Sequence, residues 1–119
     1  MTTKPSVKDK GNETKRIADF DQGLDPFADT PTEMVKIDKL LDLEIIVDDR
    51  ASTEMTSAGE LVKGVGFVFH YPNGEGHFRS LSWSKVLTEQ LLRIERREFP
   101  LLGAITEKGT GTSKYMQFI

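Results

Sequence analysis

The chain has 119 residues, of which 37% are hydrophobic and 29% charged, with a net charge of −3 and no cysteine. That length supports one domain built on a single core. The missing cysteine excludes disulfides and thiolate-based metal or redox chemistry, and the negative balance excludes a general electrostatic attraction to nucleic acid or to an anionic membrane.

No apolar run reaches the roughly 18 residues of a membrane span, and the N-terminal stretch lacks the apolar segment of a signal peptide. The expected compartment is the cytoplasm. Residues 1–33 are polar, hold three prolines, and scatter Val7, Ile17, Phe20, Leu24 and Phe27 with neither strand nor helix period. Such a segment buries too little surface to offset its ordering entropy and reads as a disordered N-terminal tail. Within it, residues 17–27 (IADFDQGLDPF) mix acids with Phe and Leu, the composition of a docking motif for a protein partner or of a plain solvated tail.

Residues 34–119 form the expected folded domain. Residues 34–42 (MVKIDKLLD) read as a helical or turn-like lead-in. Residues 43–50 (LEIIVDDR) are rich in β-branched side chains and read as the first strand. Strict alternation puts Ile45 and Val47 on one face and Glu44, Ile46, Asp48 and Arg50 on the other. Residues 51–58 (ASTEMTSA) read as a loop or frayed strand end. Residues 61–71 (LVKGVGFVFHY) are the second strand, with Gly64 and Gly66 suggesting a bulge or a tight corner.

Asn73-Gly74 is a strong hairpin signal, and residues 77–83 (HFRSLSW) form the third strand. Ser84 is placed to cap a helix whose apolar stripe is Val86, Leu87, Leu91 and Ile94, and Pro100 stops it. Residues 101–107 (LLGAITE) and 114–119 (KYMQFI) are the fourth and fifth strands, joined by the glycine-rich KGTGTS. The order strand, strand, strand, helix, strand, strand predicts a mainly β fold with one helix, a five-stranded OB-fold barrel. A two-layer α+β sandwich is the rival.

Little points to an enzyme. There is no nucleophile triad, and the KGTGTSK loop lacks the following helix that a phosphate-binding loop needs. His70 and His77 flank the hairpin and can approach each other. Glu75 is the only nearby third ligand in sequence, so neither a metal nor a cofactor is expected. A binding surface fits better. Binders of single strands combine aromatic platforms with basic residues along a groove, and an OB-fold uses its second and third strands with the one–two and four–five connections. The candidate nucleic-acid-binding residues are therefore Lys63, Phe69, Tyr71, Arg79, Trp83, Lys85, Lys108, Lys114 and Tyr115.

Against this, strand aromatics are usually core, with Phe67 and Phe78 the first expected inside. Trp83 can equally staple the first turn of the helix. Residues 34–119 carry 11 Lys and Arg against 12 Asp and Glu, so any binding depends on segregating the charges.

The runs KIDKLLDLEIIVDD, GELVKGVGFVFHYPNGEGHF, SKVLTEQLLRI and FPLLGAITEKGTGTSKYMQFI together resemble small OB-fold single-stranded-DNA-binding-like proteins of bacterial phages and mobile elements, over about residues 36–119. The resemblance implies protection or presentation of single-stranded DNA in replication or recombination. The expectation is a non-enzymatic single-stranded DNA binder, with homo-oligomerisation open. The alternative is a protein-interaction module, or a subunit of a larger assembly, that docks partly through residues 17–27.

Overall fold

The β-branched run that begins at Glu44 does not stop at Arg50. In the computed structural model, which describes residues 25–119, the elements are β1 (Glu33–Met34), β2 (Glu44–Ser57), β3 (Glu60–His70), β4 (Phe78–Ser82), α1 (Lys85–Arg93), β5 (Leu101–Lys108) and β6 (Tyr115–Phe118). Short 3-10 turns lie at Ile37–Lys39, Arg96–Glu98 and Gly111–Ser113. The polar stretch after Arg50 is strand because it is paired residue for residue with β3, from Arg50 opposite Phe67 to Ser57 opposite Glu60. Ala58 and Gly59 close that hairpin with φ of 51° and 80°, the doubly positive turn that matches strand twist. Alanine in the first of those positions hides the turn from a sequence reading.

Among the described residues the fold is mainly β with one α-helix, and six strands lie in the order β1-β4-β3-β2-β5-β6. β1 runs parallel to β4 and the remaining neighbours are antiparallel. Where a five-stranded OB-fold barrel was expected, the sheet has six strands and is not closed into a barrel. The outer edge of β4 is taken by β1 and β6 pairs only with β5, so the sheet stays open. Gln90 of α1 covers β6 instead. Its side-chain amide donates to the Phe118 carbonyl at 3.0 Å, and its oxygen accepts from the Phe118 N–H at 2.8 Å. A side chain thus supplies the pairing that an exposed strand edge would otherwise offer to another chain.

Leu40, Ile45, Val47, Val65, Phe67, Phe69, Leu87, Leu91 and Ile105 form the core between one sheet face and α1. Ser84 caps the helix as expected, its hydroxyl accepting from the Leu87 N–H at 3.4 Å. The buried helical positions are Leu87, Thr88 and Leu91, while Val86 and Ile94 are half-buried. Phe78 is also half-buried against this core.

The bulge is not at Gly64 or Gly66 but between Val47 and Asp49, where Asp48 is the extra residue in β2. Those glycines serve close approaches on the other sheet face. A methyl at Gly64 would lie 2.7 Å from the Ser82 carbonyl and 2.8 Å from Cζ3 of Trp83, and one at Gly66 would lie 2.6 Å from Cγ of Pro26. Residues 25–33, which the sequence reading assigns to the tail, thus lie against the sheet. Residues 1–24 and the expectation of disorder there fall outside the described residues.

The bulge also reverses the expected facing of Arg50. It sits opposite Phe67 and sends its guanidinium to the end of α1, donating to the Leu91 carbonyl at 3.0 Å and the Ile94 carbonyl at 2.7 Å. Beside it, Asp49 accepts from Nε of Arg96 at 2.9 Å. The hydrogen bond from Arg96 holds the Asp49 carboxyl below its ordinary range against the opposing cost of burial, helped by the Arg50 backbone N–H.

A carboxyl whose folded pKa lies below its unfolded value stabilises the fold above the ordinary value of about 3.9, and that contribution is lost as pH falls through the lowered value. Asp49→Asn is therefore expected to lower the urea midpoint at neutral pH. The gap from wild type closes below about pH 4. Urea titrations of both proteins across that range check the sign.

Candidate nucleic-acid interface

Of the nine sequence-predicted residues, five line two adjoining grooves at the start of α1. Leu61, Val62 and Lys63 of β3, Trp83, and Lys85, Thr88 and Glu89 of α1 line the first. Ser84, Lys85, Val86, Glu107, Lys114, Tyr115 and Met116 line the second, and Lys85 is common to both. A sixth, Lys108, stands opposite Tyr115 in the β5–β6 ladder. The elements explain the gathering. The β2–β3 hairpin carries Lys63 to one side, the β5–β6 hairpin carries Lys108 and Lys114 to the other, and the Ser84 cap fixes Lys85 between them.

The local charge is basic on balance. Lys63, Lys85 and Lys114 face Glu89 and Glu107 among the lining residues, and all three lysines are exposed. Trp83 is half-buried, held against Gly64, and forms part of the first groove's wall. Tyr115 is 45% exposed. Thr88 lines the first groove, and among the described residues its hydroxyl is a buried polar group without a hydrogen-bond partner.

Three expected residues are elsewhere. Phe69 is fully buried, with its ring 5.7 Å from Phe67 and 5.8 Å from Phe78, so no base can stack on it. Tyr71 packs edge-on against Phe69 at 5.7 Å, at the far end of β3. Arg79 is committed internally: it donates to Asp25 at 2.8 Å and to the carbonyl and hydroxyl of Thr32. That ion pair is largely buried, at 18% and 10% side-chain exposure. Asp25, Pro26 and Phe27, the described end of the expected docking motif, are therefore engaged with their own sheet. Residues 17–24 of that motif lie outside the described residues.

A second cluster lies at the opposite end of β3. The bulge turns Asp48 toward His70, whose Nδ1 is 2.8 Å from Asp48 Oδ2, and the ring of His77 is 5.3 Å from that of His70. Asp48, not Glu75, is the third polar group beside the two histidines. Only a bulge in a strand twenty residues upstream brings it there, so no local pattern could have revealed it.

A third feature is an apolar cleft lined by Leu91, Ile94, Phe99, Leu102, Phe118 and Ile119, among others. Among the described residues, no helix is long and apolar enough to cross a membrane. In comparisons with known proteins, no family model, no curated protein and no solved structure matches this chain.

Proposed function

We propose that the chain is a non-enzymatic single-stranded DNA binder with an OB-like, open arrangement of strands, acting in replication or recombination. The observation that carries this reading is the convergence of Lys63, Trp83, Lys85, Lys114 and Tyr115 on adjoining grooves in a domain with no overall basic charge. One wall comes from β3 just after its turn from β2 and another from the β5–β6 hairpin, the two strand pairs whose connections OB-folds use to flank an oligonucleotide. Bases stack on Trp83 and Tyr115, while Lys63, Lys85, Lys108 and Lys114 take phosphates.

Titration of Trp83 fluorescence with oligo-dT at low salt is expected to show quenching that salt reverses. Four phosphate contacts to a single strand give a log–log salt slope of roughly −3. Lys85→Glu with Lys114→Glu is expected to lower that slope by roughly 1–2, and Trp83→Ala to weaken binding on the order of 10–100-fold. No binding at low salt, or binding indifferent to the lysine reversals, would refute the reading.

A second reading, a protein-interaction module, draws on a different surface. Leu101, Leu102 and Ile119 line the apolar cleft, and Leu102 and Ile119 are 62% and 69% exposed. Exposed apolar groups clustered at a cleft favour a protein contact. The two readings separate cleanly, because Leu102→Glu leaves the DNA titration unchanged under the first and abolishes partner capture under the second.

A further inference from the structure

We propose that Asp48, His70 and His77 form a binding site for a divalent first-row transition-metal ion, with Zn²⁺ as the ion to test first. Each side chain offers one ligand atom, and these atoms all lie within 4.8 Å of one another. At metal–nitrogen and metal–oxygen bonds of about 2.0–2.2 Å, two ligands of one tetrahedral ion stand roughly 3.4 Å apart. Small side-chain rotations therefore suffice to close the set.

Three separate backbone features converge to make it. The β2 bulge inserts Asp48 as an unpaired residue beside β3, and bulges characteristically re-aim a side chain in this way. His70 is the last residue of β3, pinned in the ladder opposite Ile46. His77 immediately precedes β4, and its backbone carbonyl accepts from the Glu33 N–H at 3.4 Å. Two of the three ligand positions are thus held by sheet hydrogen bonds, while the exposed His77 leaves an open approach.

The donor set also selects the ion. Two imidazoles and one carboxylate suit zinc, nickel, cobalt or copper, whereas calcium and magnesium prefer all-oxygen shells. Three protein ligands leave a fourth position for water. The Asp48–His70 contact, 2.8 Å between Nδ1 and Oδ2, already brings these two ligand side chains together, and the ion would take the place of the hydrogen between them. Bound metal would tie β2, β3 and the start of β4 together at one end of the sheet. From Lys63 to His70 the strand spans about 23 Å, so this site is separate from the lysine-lined grooves and stands or falls independently of DNA binding.

The test uses the full chain without an affinity tag. Isothermal titration with Zn²⁺ at neutral pH is expected to show saturable uptake of one ion per chain, with a matching rise in Tm. Co²⁺ should give the visible absorption of a tetrahedral nitrogen–oxygen site. His77→Ala, at an exposed position where folding is least disturbed, is expected to weaken zinc binding more than about 100-fold, beyond the 10–100-fold typical of a supporting residue. It should also remove the Tm rise.

Asp48→Asn and His70→Ala are expected to do the same, and Glu75→Gln to leave binding unchanged. In the wild-type protein, NMR should report zinc-induced shifts at both imidazoles, a readout that needs no variant to fold. Absence of saturable uptake overturns the site. So does uptake that His77→Ala leaves intact, or that Glu75→Gln weakens equally.

Discussion

Phe67→Ala is expected to lower the free energy of unfolding by about 3–5 kcal/mol, the largest effect of any single truncation considered for this fold. Phe67 has no exposed surface, and its ring meets Phe69 at 5.7 Å and Phe118 at 5.8 Å, the latter edge-on. It joins β3 to β6, which share no backbone hydrogen bond, so removing the ring opens a cavity that no single element can collapse to fill. Against a typical stability of about 5–15 kcal/mol, this loss is a large fraction of the whole. Urea denaturation followed by circular dichroism measures it. A loss below about 1 kcal/mol would place Phe67 outside the structural centre, because large-to-small changes at a true centre do not fall that low.

Arg50→Ala is expected to cost about 2–3 kcal/mol, since charge-assisted hydrogen bonds contribute about 1.5–3 kcal/mol and the cation adds favourable interaction with the helix dipole. The guanidinium satisfies two carbonyls at the end of α1, Leu91 and Ile94, where an isolated helix leaves its last acceptors unpaired. Arg50→Met separates bonding from bulk: it keeps an apolar stem of similar reach but no donor. Arg50→Lys is expected to fall between wild type and Met, because one ammonium does not reproduce the planar fork that spans two acceptors. Equal stability of Arg50→Met and wild type, by the same urea titration, would show that packing alone holds the helix end.

Both effects bear on the grooves through the position of α1. Its first turn, with Ser84 and Lys85, forms the shared boundary of the two grooves, and its last turn rests on Arg50. Substitutions at Arg50 therefore test whether groove geometry depends on anchorage at the far end of the helix.

Much of this was legible in local chemistry. The β-branched run after Leu43, the Asn73-Gly74 signal, the Ser84 cap and the apolar helical stripe are short-range features, and they determined the order of the main strands and the single helix. The four lysines and Trp83 that line or border the grooves were also readable as surface candidates, because long cations and an indole in or beside strand ends rarely serve the core. Phe69 and Arg79 were misplaced as binding residues. Burial of Phe69 depends on which face of β3 the helix covers, and the commitment of Arg79 depends on Asp25, fifty-four residues upstream.

What only the tertiary structure decided follows from pairing across long separations. The edge of β4 is occupied by β1 and not by β6, so the sheet remains open, although the element order alone is equally compatible with a closed barrel. Pairing with β3 also extends β2 through a polar stretch that has little strand character of its own. The one extra residue at Asp48 changes the facing of everything after it: Arg50 turns to the helix while Asp48 turns to His70. A period-two pattern read from sequence assumes an unbroken ladder, and a bulge is settled by the partner strand. For that reason composition and pattern were sufficient for the main strands and the helix but not for β1 or the second half of β2, and the polar cluster on this sheet became visible only in three dimensions.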